Sequence, residues 1–222
     1  MCWIHFISRQ ISELNGESIL KEVSLAQLKK ATEILVIDDN EFTYLEALKK
    51  SEFNIDYRSD IQSLKDVAEY DIVLCDIRGV GKFLESQYDG AYLVKQLKKK
   101  YPNKTIISYT ADDYNPRYEE FLKYADAIVP KGTVLEDWDA LLTGLLKDLA
   151  DPVKQWAKTR QALLEAGVST VAVAKHEARY VKAVKDGTFD SIKKLYEPKN
   201  DIASDIMKTL LHGAISKLIE RM

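Results

Sequence analysis

The sequence predicts a doubly wound α/β fold: a five-stranded parallel sheet with helices on both faces, preceded by helices and followed by an all-helical extension. Three observations predict it. Short apolar runs recur at 33–39, 71–76, 105–110 and 125–131, with a further strand read at 54–58. Segments of helical pattern alternate with them, as right-handed βαβ units require. Four of the runs also end in a polar group, and open α/β sheets bind their ligands beyond the carboxyl ends of the strands.

Taken in order, residues 1–32 read as an N-terminal helical segment in two pieces. Trp3, Ile4, Phe6, Ile7, Ile11 and Leu14 precede a break at Asn15-Gly16, and Ile19, Leu20, Val23, Leu25 and Leu28 follow it. Ser24 and Gln27 have the spacing of a capping box. This apolar stripe is expected to pack on the domain or, in a homodimer, on a second copy of the chain; a partner-docking or membrane-surface helix is the sharper alternative. The run 33–39 is apolar from Ile34 to Ile37, as a strand buried on both faces is, and it ends in Asp38-Asp39. Helices are predicted over 41–50 and 60–69, around the strand 54–58. After 71–76 comes a helix over 91–100, whose Lys95, Lys98, Lys99 and Lys100 suit the negative end of the helix dipole. Asn115-Pro116 starts a helix reaching about Tyr124, with proline in its first turn. Trp138 and leucines 135, 141, 142, 145 and 146 mark a closing helix.

Asp151-Pro152 then marks a boundary, so residues 33–150 are expected to form one domain and 151–222 a C-terminal helical one. The tail carries only helical signals, over 153–165, 170–185, 191–196 and 202–221, broken at Gly167, Gly187 and Pro198.

A composition of 46% hydrophobic and 30% charged residues is that of a globular chain. The formal net charge of -3 hides an asymmetry: residues 151–222 hold 13 Lys and Arg against 9 Asp and Glu. That excess is too small and too scattered for a nucleic-acid surface, so DNA is not expected as a partner. Cys2 and Cys75 cannot build a disulfide framework and are read as free thiols in a reducing compartment. No run approaches the roughly 20 apolar residues of a membrane span. The N-terminus lacks a basic n-region and is broken by Arg9 and Glu13, so no secretory signal is read there and a cytoplasmic location is expected.

If the strands at 33–39, 71–76, 105–110 and 125–131 are parallel neighbours, Asp38, Asp39, Asp76, Thr110 and Lys131 converge at one sheet edge. Three carboxylates together repel one another, and a hard divalent cation with oxygen ligands, Mg²⁺ foremost, relieves the repulsion. A lysine and a hydroxyl facing that ion suit a phosphoryl group.

These residues carry a resemblance. Leu-Val-Ile-Asp38-Asp39, Ile-Val-Leu-Cys-Asp76, Asp89-Gly90 opening a helix, Ser-Tyr-Thr110-Ala111, and Ala125-Asp126 followed by Lys131 resemble, in this order, the receiver domain of two-component response regulators, over about residues 33–148. The resemblance implies a flavodoxin-like sheet. It implies that Asp76 takes a phosphoryl group from a sensor histidine kinase or a phosphotransfer protein to give an aspartyl phosphate. It further implies Mg²⁺ held by Asp39 and Asp76 and the backbone carbonyl of Arg78, with Asp38 reaching it through water. Lys131 and Thr110 would contact the phosphoryl oxygens, and the helical extensions would carry the output to a downstream protein, in a signalling protein rather than an enzyme.

The sequence departs from the family in four places. Asp89 lies thirteen residues after Asp76, so the loop 77–88 is longer than the family's. Pro130 precedes Lys131 instead of following it, and Ile128 stands where many receivers have an aromatic residue. Arg78 and Asp112 occupy positions that in the family tune hydrolysis of the acyl phosphate, and could pair across the pocket mouth.

Other motifs read more weakly. Gly79-Val-Gly81-Lys82 lacks the upstream glycine and the following Ser or Thr of a nucleotide-binding loop. His176 lies on a predicted helix without a phosphotransfer pattern around it. Gly167-Val-Ser169 resembles a helix-turn-helix turn, but Leu163 stands where a small residue is preferred. The rival functions are accordingly a DNA-binding response regulator using the C-terminal helices, and a receiver-like scaffold independent of phosphorylation.

Overall fold

Five strands form one parallel sheet: β1 (Ile34–Ile37), β2 (Ile55–Arg58), β3 (Ile72–Asp76), β4 (Thr105–Thr110) and β5 (Ala127–Pro130), in the order β2-β1-β3-β4-β5. The computed structural model describes residues 10–16, 22–111, 116–199 and 201–220. Every residue of β1, β3 and β4 is buried, because these central strands are covered on both faces. The edge strands β2 and β5 are only partly buried. Proline cannot donate to a ladder, so Pro130 is tolerated because β5 is an edge, and Ile128 on the same strand is 53% exposed.

Flanking the sheet are α1 (Leu25–Ala31), α2 (Leu45–Lys50), α3 (Asp89–Lys100), α4 (Pro116–Leu122) and α5 (Leu135–Ala150). The expected capping box starts α1: Gln27 N donates to Ser24 Oγ (3.2 Å), and Ser24 N donates to Gln27 Oε1 (2.8 Å). Strand side chains alternate between faces. Ile34, Val36, Leu74 and Ile107 point to one face and pack with Leu28, Leu48, Trp138 and Leu142. Leu35, Ile37, Val73 and Ile106 point to the other and pack with Leu93, Val94 and Leu97 of α3. The doubly wound arrangement expected from the sequence is the one observed.

The extension comprises α6 (Pro152–Glu165), α7 (Thr170–Asp186), α8 (Asp190–Tyr196), α9 (Ile202–His212) and α10 (Ala214–Ile219). Asp151 separates α5 from α6 and caps the latter, accepting from Val153 N (2.8 Å) and Lys154 N (3.2 Å). Gly187, at φ 69°, closes α7 in the left-handed conformation that glycine adopts without cost. Trp156, Leu163, Tyr180, Phe189, Tyr196 and Met207 form a core of the tail's own, against which Ile11 and Leu14 pack. Helix α10 belongs to both cores. Ala214 and Leu218 face the sheet's core, and Ile215 and Ile219 face the tail's.

Polar contacts also fasten the tail to the sheet. The Asp71 carboxylate, at the start of β3, accepts from Glu33 N (3.0 Å) and Ala214 N (2.9 Å). Asn103 Nδ2 donates to Thr159 Oγ1 (3.0 Å) on α6 and to the Ile206 carbonyl (3.1 Å) on α9. Among the described residues no helix is long and apolar enough to cross a membrane.

Three expectations are corrected. Residues 60–69 do not form a helix but a 3-10 turn, Leu64–Val67. The Asp60 carboxylate is instead engaged by Ile61 N (2.8 Å), Gly81 N (2.6 Å) and Lys82 N (3.1 Å), which keeps the chain before Ser63 out of helical register. The helix predicted from 41 begins at Leu45, because Phe42 turns inward and is buried against Trp138. The helix predicted over 202–221 breaks at Gly213, whose backbone is extended (ψ 175°) while Asp71 takes the next N–H. Cys2, Trp3, Ile4, His5, Phe6, Ile7, Ile19, Leu20, Asp112 and Asn115 lie outside the described residues.

Asp71→Ala is expected to destabilise the protein by about 2 kcal/mol or more, since it leaves two N–H groups at a buried junction without their acceptor; a lowered urea midpoint at unchanged m-value checks it. A second expectation concerns His176, half-buried in the tail with its Nδ1 against the Tyr196 hydroxyl. That engaged ring does not fit a phosphotransfer histidine. Burial, with Arg179 and Lys199 adding to it, lowers the imidazole pKa. The unfolded chain therefore binds the proton first, and stability present above about pH 6.5 is lost as the pH falls through the folded-state value. Urea midpoints compared at about pH 7 and about pH 5 are expected to fall less in His176→Gln than in the wild type.

Candidate functional site

Strand register brings the site together. Ile37 pairs with Cys75, Asp76 with Tyr109 and Thr110 with Pro130. Asp38 and Asp76 therefore stand side by side at the carboxyl edge, with Asp39 and Thr110 one residue and Lys131 two residues further along. Lys131 Nζ donates to Asp76 Oδ2 (2.6 Å) and to Asp38 Oδ2 (3.1 Å). Asp38 also accepts from the Tyr109 hydroxyl (2.7 Å) and from Asn40 N (2.9 Å), and Asp76 Oδ1 accepts from Ile77 N (2.7 Å). Oxygens of Asp38, Asp39 and Asp76 lie within 4.8 Å of one another, with the first and last buried and Asp39 exposed.

Asp39, Asp76, Arg78, Thr110, Ala111 and Lys131 line a cavity of about 200 Å³ over these acids. A larger groove, about 930 Å³, runs between α3 and the tail. Asp39, Asp76 and Lys131 face the smaller cavity and none of them faces the groove, which makes the smaller cavity the candidate site. Of the residues predicted for the site, Asp39, Asp76, Arg78, Thr110 and Lys131 line it, and Asp38 lines an adjoining cavity that Lys131 also borders; Asp112, the expected partner of Arg78 across its mouth, falls outside the described residues.

The two buried carboxylates differ in character. Burial raises both, but at Asp38 the Tyr109, Asn40 and Lys131 donors outweigh it and the carboxyl lies below its usual value. At Asp76 burial prevails, assisted by the charge of Asp38 and only partly offset by Lys131 and Ile77 N, and the carboxyl lies above its usual value. Burial works against the Lys131 ammonium, yet the two carboxylates raise its pKa and keep it charged. Burial pushes the neighbouring Cys75 thiol well up, so it is no nucleophile.

The long loop 77–88 is built around two glycines. Gly79 and Gly81 have φ of 69° and 74°, and a Cβ on Gly79 would overlap the Asp39 carboxylate. The amides of Gly81 and Lys82 point at Asp60, so this Gly-rich turn already holds a carboxylate where a nucleotide loop would hold phosphate. At the loop's far end, a Cβ on Gly90 would overlap the Asp76 carbonyl oxygen. The glycine of Asp89-Gly90 thus lets the first turn of α3 press against the end of β3.

Sequence reasoning missed Tyr109 and Asp60. Tyr109 was hidden inside an apolar run, and only its register opposite Asp76 reveals it. Asp60 read as a helix start, because the amides it caps, those of Gly81 and Lys82, lie 21 and 22 residues further on and no local pattern points to them.

Gly90→Ala is expected to lower stability by about 1–3 kcal/mol through overpacking against backbone. Because the displaced atom is the Asp76 carbonyl, the Asp76 amide resonance should shift more than those of β1.

No protein-family model and no curated protein sequence matches the chain. Solved structures do match. A response-regulator receiver domain protein from Methanospirillum hungatei is 18% identical at a TM-score of 0.43, over 53% of this chain and 94% of the other. The BeF3-activated N-terminal receiver domain of RstA from Klebsiella pneumoniae is 23% identical at a TM-score of 0.44, over 52% and 98%. The response regulator TrrA from Thermotoga maritima, in complex with Mg²⁺-BeF, is 22% identical at a TM-score of 0.41, over 51% and 98%. The solved structures that this chain is similar to are receiver domains, and its own strand order and two-sided helical cover are those of the doubly wound, receiver-type fold.

Proposed function

We propose that the chain is a receiver-type signalling switch, phosphorylated on Asp76 by a sensor histidine kinase or a phosphotransfer protein. One observation carries the reading: Lys131 bridges Asp38 and Asp76 at the carboxyl edge, with Asp39 exposed beside them. Three oxygen-bearing acids within 4.8 Å suit a hard divalent ion. Asp39, Asp76 and the carbonyl of Arg78 would hold Mg²⁺, with Asp38 behind, and the ion would supply positive charge against the oxygens of the transferring group.

A carboxylate oxygen of Asp76 attacks the phosphorus of phosphohistidine; the P–O bond forms as the P–N bond breaks, and the imidazole leaves with the electron pair. Lys131, already 2.6 Å from Asp76, offsets the added charge, and Thr110 in the cavity wall donates to a phosphoryl oxygen. The new group displaces Lys131 from its two carboxylates, and that displacement is the switch. A shift of a few kcal/mol moves such an equilibrium from mostly off to mostly on. The tail is fastened to the sheet through α10, Asp71 and Asn103, which supports output by protein contact rather than by DNA binding.

Incubated with Mg²⁺ and acetyl phosphate, the wild type should gain one phosphoryl adduct by intact mass and Asp76→Asn none. No adduct, together with no beryllofluoride binding, would leave the phosphorylation-independent scaffold as the reading.

A further inference from the structure

One side chain touches both the acids and the helix that leads to the tail. Tyr109 is 2% exposed on β4, and its hydroxyl donates to Asp38 Oδ2 at 2.7 Å, the same oxygen that Lys131 reaches. The Lys131 ammonium also lies over the Tyr109 ring, 5.3 Å from its centre. On its other side the ring meets Trp138 edge-on, with centroids 6.0 Å apart and planes at 88°, and Phe42 at 5.6 Å. Trp138 is 1% exposed in the first turn of α5. A cavity of about 220 Å³ beside this cluster, lined by Asp38, Phe42, Tyr44, Tyr109 and Trp138, leaves the aromatic rings room to shift.

A buried phenol without an acceptor is costly, so Asp38 and Tyr109 cannot move independently. If Asp38 turns towards a cation, the hydroxyl must follow or lose its partner. If Lys131 leaves Asp38, the ring loses the cation over its face as well.

We propose that Tyr109 is a positioning residue: its hydroxyl sets the orientation of Asp38 towards a bound cation, and its ring passes movement of Asp38 and Lys131 to Trp138 and α5. The proposal rests on the phosphorylation reading above and adds a route out of the pocket. Outer-shell hydrogen bonds of this kind typically matter 10–100-fold for metal affinity.

The test uses the full chain labelled with 5-fluorotryptophan, titrated with Mg²⁺ and then given acetyl phosphate. In the wild type the Trp138 ¹⁹F resonance should move with Mg²⁺ and again on phosphorylation. Tyr109→Phe keeps the ring and removes the hydroxyl; it should weaken Mg²⁺ about tenfold and lose most of the Trp138 shift at saturating Mg²⁺. An unmoved Trp156 resonance shows that the tail core is kept. Wild-type Mg²⁺ midpoint and wild-type Trp138 shift in Tyr109→Phe would overturn the proposal while leaving Asp76 phosphorylation standing. A wild type that takes neither Mg²⁺ nor phosphoryl would overturn that reading and this inference with it. The wild type carries a second test that needs no variant: the ¹³Cζ resonance of Tyr109 must move at the same Mg²⁺ midpoint as Trp138. A Tyr109 resonance that stays still while Trp138 moves would also overturn it.

Discussion

Asp38 and Asp76 end neighbouring strands, and the ammonium of Lys131 between them offsets their mutual repulsion at the rim of a buried sheet. Everything around the pair serves that arrangement. The registers of β1, β3, β4 and β5 set Asp38 level with Asp76 and carry Lys131 two residues past them, from where its long side chain reaches back to both, and the absence of a side chain at Gly90 lets α3 close against the last residue of β3. The donors are distributed unevenly: Asp38 has three outside Asp76, whereas Asp76 has Lys131 and one backbone amide. Asp76 is consequently the acid with more to gain from a new cationic neighbour.

The opposite end of the sheet is also polar, but there the charges are enclosed. Burial raises the pKa of Asp71, against the pull of Lys217 and two amide donors, and burial lowers that of Lys104 to about 8 while its ammonium is held by the carbonyls of Ala68 and Tyr70. Polar groups so placed cost free energy unless each finds a partner; Lys104 finds its own beside the sheet, and the tail supplies Asp71 with Ala214 N and Lys217. The carboxyl edge keeps an open cavity, and the amino edge is covered by the tail.

The sheet could be read from the sequence because burial on both faces imposes unbroken apolar runs, and the polar residues ending those runs mark the site. Asp38, Asp39, Asp76, Thr110 and Lys131 were all visible in this way. Local pattern failed where a distant partner decided the structure. The segment 60–69 has helical composition, but Asp60 caps a loop 21 residues away in sequence; 202–221 reads as one helix, but Asp71 takes the N–H that follows Gly213. Tyr109 was concealed for a related reason. A tyrosine in an apolar strand reads as core, and its hydroxyl acquires meaning only from the acid beside it in the folded sheet.

Helix α10 is six residues long and gives two side chains to each core, Ala214 and Leu218 to the sheet's and Ile215 and Ile219 to the tail's. A wall shared by two rooms cannot be removed from one of them alone. Cutting the chain at Gly213 would open the sheet's hydrophobic interior to water as well as the tail's, so this short helix is a structural member of a sheet whose first strand lies some 180 residues earlier in the sequence.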